Sequence, residues 1–151
     1  MKLGTRGRYA VMAMVDLAKS CQKGQPISLS EIASRQEISL SYLEQLFHRL
    51  RKGGLVQSVR GAMGGYVLAQ PPSGIYIADI VAITDKPFKA TRCQSKSAAG
   101  CMQESKTRCT VHHLWEELGN QINGFLQSIS LQDVLDNNFS RSASEKHMRQ
   151  K

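Results

Sequence analysis

Three cysteines and a histidine share one short stretch of this chain: Cys93, Cys101, Cys109 and His112. Seven residues separate each cysteine from the next, and two separate Cys109 from His112. Thiolate and imidazole are soft-to-borderline donors that suit zinc and iron–sulfur clusters. Structural zinc sites usually contain cysteine pairs about two to four residues apart, and this stretch has none. Long connections better suit ligands wrapped around something larger than one ion, such as a cluster of two irons and two sulfides. His112 is the candidate fourth ligand, because it stands one helical turn after Cys109. Its neighbour His113 points about a quarter-turn away around a helix. Imidazole ligation raises a cluster's potential and makes the site sensitive to protonation, which suits a sensor better than an electron carrier. The same residues also allow a zinc site, or a regulatory disulfide whose thiolates are favoured by Arg92, Lys96, Lys106 and Arg108. All three chemistries stay open at this level. Cys21, far from the others, reads as a small buried residue at the end of the first helix.

The rest of the chain must position this loop. Its 151 residues are 41% hydrophobic, enough for one core with an appended element. No apolar run approaches a membrane span, and "MKLGTRGRYA" lacks a leader's apolar stretch, so a cytoplasmic protein is expected. In a reducing cytosol, clustered cysteines point to metal or redox chemistry rather than structural disulfides. The net charge of +8 is uneven: residues 1–92 carry 13 Lys and Arg against 6 Asp and Glu, and residues 93–151 carry 7 against 6. A basic N-terminal part suits an anionic partner, most simply nucleic acid. No catalytic triad, paired-carboxylate site or phosphate loop stands out, and "GAMGGY" lacks the Lys-Ser/Thr that a phosphate loop needs, so the chain does not read as an enzyme.

The apolar spacing of Ala10, Ala13, Met14 and Leu17 predicts a helix from Thr5 to about Lys19. Two short helices follow, over Leu29–Gln36 and Ser41–Lys52. Ser28 with Glu31, and Ser41 with Glu44, read as capping boxes. "LVQSV" and "YVLA" have strand composition and flank the glycine-rich tip "RGAMGG". A short helix is expected over Ile77–Asp85. Three helices and a hairpin in this order predict a mainly α, winged helix-turn-helix fold, whose second motif helix enters the major groove. On that helix Leu43, Leu46, Phe47 and Leu50 form the buried stripe. Ser41, Tyr42, Gln45, Arg49 and Lys52 then face outwards, Gln45 to read a base edge and the hydroxyls to hold phosphate. Glu44 is either a cap or a discriminating carboxylate. Arg60 on the wing is placed to enter a minor groove. Arg8 and Ser39 complete the expected DNA-binding set.

From His112 to Ser130, Trp115, Leu118, Ile122, Phe125 and Ile129 alternate at three and four residues, the spacing of a coiled-coil seam. The other elements are short, so a second copy of the chain is the expected partner helix, giving a two-fold dimer. The organisation expected is a DNA-binding domain over 1–86, a cysteine-rich cluster-binding loop over 87–111, a long dimerisation helix with a short following helix over 112–137, and a disordered tail over 138–151.

Four stretches together, "GRYAVMAMVDLA", "ISLSYLEQLFHRLRKGGLVQSVRG", "GGYVLA" and "TRC…C…C…HxLWEELGNQINGFLQSISL", resemble the IscR-type iron–sulfur cluster regulators of bacteria. The likeness runs from Met1 to about Asn137. It implies a homodimeric winged-helix transcription factor holding one 2Fe–2S cluster per subunit on Cys93, Cys101, Cys109 and His112. It also implies control of cluster-assembly genes, with assembly proteins as the cluster donors and cluster occupancy deciding promoter choice on double-stranded DNA. Glu44 is then the residue whose clash with one class of site the cluster state relieves or enforces. Two departures stand out. The cysteine spacings are longer than is typical of such regulators, and the wing has "RGAMGGY" where they usually have Gly-Pro-Gly-Gly-Gly-Tyr.

Overall fold

The computed structural model describes residues 3–21, 24–90 and 109–139. Cys93, Cys101 and the expected tail lie outside the described residues, apart from Asn138 and Phe139 of the tail. The elements are α1 (Thr5–Ser20), α2 (Leu29–Gln36), α3 (Leu40–Lys52), β1 (Val56–Val59), β2 (Gly65–Leu68), α4 (Ile77–Thr84), α5 (His112–Ser128) and α6 (Leu131–Leu135). They form a mainly α winged helix-turn-helix, as the sequence predicts, and no helix among the described residues is long and apolar enough to cross a membrane.

The helix-turn-helix is α2 and α3, joined through Glu37, Ile38 and Ser39. Helix α2 has the expected capping box: Ser28 accepts from the Glu31 backbone N–H while the Glu31 carboxylate accepts from Ser28 N–H. Glu37 closes it in the left-handed region at φ 53°. Helix α3 starts differently from the expectation. Ser39, not Ser41, is its N-cap and accepts from Tyr42 N–H at 3.2 Å, and Glu44 takes no part in a capping box. The physical reason is a hydrophobic staple: with Ser39 as cap, Ile38 and Leu43 fall at the paired apolar positions flanking the first turn, and both are buried. A start at Ser41 would pair exposed Leu40 with Gln45 instead.

Leu43, Leu46, Phe47 and Leu50 bury the inner face of α3 as the spacing predicts. They join Ala10, Ala13, Met14 and Leu17 of α1 and Ile80 and Val81 of α4 in one core. Strands β1 and β2 pair antiparallel, Val56 with Leu68 through Val59 with Gly65, and Tyr66 also exchanges two backbone hydrogen bonds with Ile27. The ring of Tyr66 packs edge-on against Phe47 at 5.0 Å, which fixes the wing to α3.

Ile129 is a correction. Expected on a dimer seam, it is 2% exposed and sits in this core, beyond the last turn of α5. Its carbonyl accepts from Ile77 N–H at 2.9 Å, Leu131 N–H donates to Ile75 at 2.8 Å, and Tyr76 bridges to Ser130. The helical period carries through 129 in the sequence, but the backbone leaves the helix at Ser128 and turns that side chain inwards.

Candidate nucleic-acid interface and metal site

Helix α3 presents an outer face fixed by its inner one. At about 100° per residue, Ser41, Gln45, His48 and Lys52 fall within an arc of about 60° opposite the buried stripe, and all four are exposed. Glu44 is exposed at the edge of that arc. The first turn carries the hydroxyls of Ser39 and Ser41, 3.5 Å apart, although Ser39 is already engaged as the cap. Tyr42 is half-buried, with its ring edge-on to Tyr9 of α1 at 5.9 Å. Arg49 serves the scaffold: its guanidinium donates to the Thr84 carbonyl at 3.3 Å, at the end of α4. Arg51 reaches Ser58 of β1 at 3.5 Å. Arg8 is exposed on α1 and Arg60 is exposed at the wing. The wing tip also carries Met63, at 89% the most exposed of the large apolar side chains described. His48 is missing from the residues that pattern reading picked out, although its i+3 and i+7 spacing from Gln45 and Ser41 would have found it.

The end of α4 is tied to both α3 and α1. Besides the Arg49 bond to Thr84, the Asp85 carboxylate accepts from Gly7 N–H at 3.2 Å in the first turn of α1. Gly4, the N-cap of α1, supplies no side-chain cap, so Asp85 performs that service from a distance of 78 residues. Asp85 stands immediately before the segment leading to the cysteines.

Of the four expected metal ligands, the described residues include Cys109 and His112. They lie on one turn entering α5, with His112 N–H donating to the Cys109 carbonyl at 3.0 Å. Cys109 is half-buried, and His112 is only 3% exposed although it is polar. His113 faces outwards, so of the two adjacent imidazoles His112 is the enclosed one. Nε2 of His112 stands 3.9 Å from the Glu116 carboxylate. The same carboxylate oxygen is 3.5 Å from Nδ1 of His113, so Glu116 sits between the two imidazoles and is beyond hydrogen-bond distance of His112. Beside them a cavity of about 240 Å³ is lined by Phe88, Lys89, Ala90, His112, Trp115 and Asn120, among others. Among the described residues no three potential ligands come together. A half-buried thiol beside an enclosed imidazole fits the thiolate-plus-histidine donor set of a cluster or a soft metal.

On the rest of α5, Trp115 is 37% exposed, Phe125 46% and Leu114 60%, with Leu118 and Ile122 half-buried between them. An apolar stripe this open on a 17-residue helix is unusual for a surface that faces only water.

The model of the Rrf2 family, described as iron-dependent transcriptional regulators, matches residues 3–137. The HTH-type transcriptional regulator IscR of Photorhabdus laumondii is 50% identical over 137 residues, covering 91% of this chain and 80% of the relative. Among solved structures, IscR of T. potens is 38% identical with a TM-score of 0.70, covering 91% of this chain and 88% of its own. CymR, the global cysteine regulator of B. subtilis, is 33% identical with a TM-score of 0.75, covering 91% and 98%. These relatives are named as regulators, not as enzymes. The basic recognition helix, the wing and these matches agree: the chain belongs to the Rrf2 family of iron-dependent transcriptional regulators and is a DNA-binding regulator of transcription.

Proposed function

We propose that this chain is a cytoplasmic, homodimeric regulator that reads promoter DNA with α3 and the wing and senses an iron–sulfur cluster, of the 2Fe–2S type, through Cys93, Cys101, Cys109 and His112. The observation that carries the cluster reading is the enclosed His112 one turn from half-buried Cys109. When bound, the cluster supplies a redox- and iron-dependent occupancy that ordinary side chains lack. The chain's own residues do the rest. His112 would supply the imidazole donor and Cys109 a thiolate. The segment between Asp85 and His112 joins the reading head to α5. Order in that segment bears on α1 through the Asp85–Gly7 bond and on α3 through the Thr84–Arg49 bond.

Dimerisation through Trp115, Leu118, Ile122 and Phe125 sets two copies of α3 against one operator. Adjacent major grooves lie about 34–36 Å apart, so the dimer's geometry decides which half-sites can be met together. Occupancy then selects promoters only by the difference in affinity that it creates. Genes of cluster assembly are the proposed targets, with assembly proteins as donors, as the sequence resemblance implies.

The decisive measurement is iron, acid-labile sulfide and zinc per protomer on protein purified without oxygen, with its visible spectrum. About two irons and two sulfides, lost in Cys101→Ala and in His112→Ala, are expected. One zinc without sulfide, or no metal with a disulfide among the cysteines, would replace the cluster by a zinc or thiol sensor on the same DNA-binding frame.

A further inference from the structure

We infer that His48 is a DNA-contacting residue whose protonation adds a phosphate contact, making operator binding pH-dependent. This rests on the reading of α3 as the recognition helix. His48 lies on the exposed arc with Ser41, Gln45 and Lys52, opposite the buried stripe. The cap Ser39 and two basic residues of α3 already have partners in the chain: Ser39 with Tyr42 N–H, Arg49 with Thr84 and Arg51 with Ser58. Among the described residues, His48 has no hydrogen bond or ion pair within the chain. Its polar atoms are therefore available to a ligand without breaking anything in the fold.

Position on the helix says what kind of ligand. The N-terminal residues of a recognition helix meet base edges, and residues further along meet the flanking backbone. His48 is the ninth of thirteen residues in α3, one turn beyond Gln45 and one turn before Lys52. Its charged neighbours on the helix are Glu44 at i−4, Arg51 at i+3 and Lys52 at i+4. No charged group of α1, α2, α4 or β1 pairs with it among the described residues. A neutral imidazole offers a phosphate one N–H. The imidazolium, formed by taking a proton from solvent, offers two N–H groups and a full charge. On DNA, that added charge releases a further counterion.

The test uses the full chain and a duplex selected by that chain from a random-sequence pool. Affinity is measured against salt at about pH 5.5 and about pH 8, the interval in which histidine changes charge. The slope of log affinity against log salt should be steeper at the lower pH by about 0.9 per subunit. His48→Gln should show the shallow slope at both pH values, and His48→Lys the steep slope at both. The other histidines are present in every variant and cancel in the comparison. A His48→Gln protein that keeps the wild-type pH difference overturns the inference. Gln45→Ala separates the two levels: if it weakens binding while His48→Gln keeps that difference, only His48 is misassigned. If neither substitution alters affinity, salt slope or pH response in a folded protein, α3 is not the reading helix and the proposed interface fails with it.

Discussion

Asp16 and Glu44 are two carboxylates of the same half of the chain with opposite fates. Asp16 is nearly buried on α1, where it accepts from Arg35 at 2.6 Å and from Gln36 at 2.6 Å and takes a longer bond from Ser20. Burial pushes its pKa up, but the hydrogen bonds from Arg35 and Gln36, the Arg35 charge and Ser20 together outweigh it, so the pKa lies below the ordinary 3.8. A depressed carboxylate contributes stability that is fully present above the unfolded value and is lost as pH falls through the folded one. Asp16→Asn should therefore lose roughly 1–3 kcal/mol at neutral pH, read by urea titration. It should also show a shallower loss of stability below about pH 4 than the wild type. Glu44 is exposed and makes no cap, so in the proposed interface its carboxylate is available to DNA. A carboxylate there repels phosphate and accepts only from a donor such as a cytosine amine. Glu44→Ala should broaden binding by the cluster-free protein to promoters that the wild type takes only when loaded. Equal Kd values for mutant and wild type on both promoter classes would end that assignment.

Between elements, the joints are narrow contacts. Alanine at Gly65 would drive its Cβ into the backbone of Ile27, where β2 meets the residue before the Ser28 cap of α2. Strain of this kind typically costs about 1–3 kcal/mol, and here it would fall on the joint between wing and helix-turn-helix. Gly65→Ala should lower the urea midpoint and weaken DNA binding together. At the other joint, alanine at Gly4 would displace the Asp85 carboxylate. Gly4→Ala and Asp85→Ala should each cost about 0.5–2 kcal/mol, the usual worth of an N-cap. Because both act on one bond, the double variant should cost little more than either single one. Full additivity in urea titrations would mean that Asp85 does not cap α1.

For the molecule as a whole, α5 and the residue that follows it face different surroundings. Phe125 and Trp115 are open to solvent in the single chain, whereas Ile129 is enclosed beside Leu131 and Ile75. Phe125→Asp should yield a folded monomer by sedimentation, with helical content retained and operator affinity reduced. Ile129→Ala should instead remove about 2–5 kcal/mol of fold stability without a selective effect on association. A Phe125→Asp protein that still sediments as a dimer would place the interface elsewhere. Helix α6 belongs to the same logic: it begins with a capping box between Ser130 and Asp133 and buries Leu131 in the core shared with α1 and α4.

Much of this was written locally in the chain. Helices α2 and α4, the buried stripe of α3 and the two wing strands follow from the period of apolar side chains and from cap and turn residues, because those signals act within one or two turns. The thiol and imidazole types likewise limit the chemistry of the metal site to soft and borderline acceptors. Other features depend on contacts between residues distant in sequence, which no local pattern encodes. The cap of α3 moved to Ser39 because Ile38 and Leu43 are buried together. Arg49 was drawn to Thr84, 35 residues away, and Asp85 to Gly7, 78 residues away. Ile129 continues the seam's spacing but turns into the core, because its backbone pairs with Ile77 and ends the helix first. The sequence by itself determined the elements and the kinds of chemistry they carry. Tertiary structure decided which outward-looking residues were already engaged within the chain and which were left exposed, because engagement is a property of space rather than of spacing.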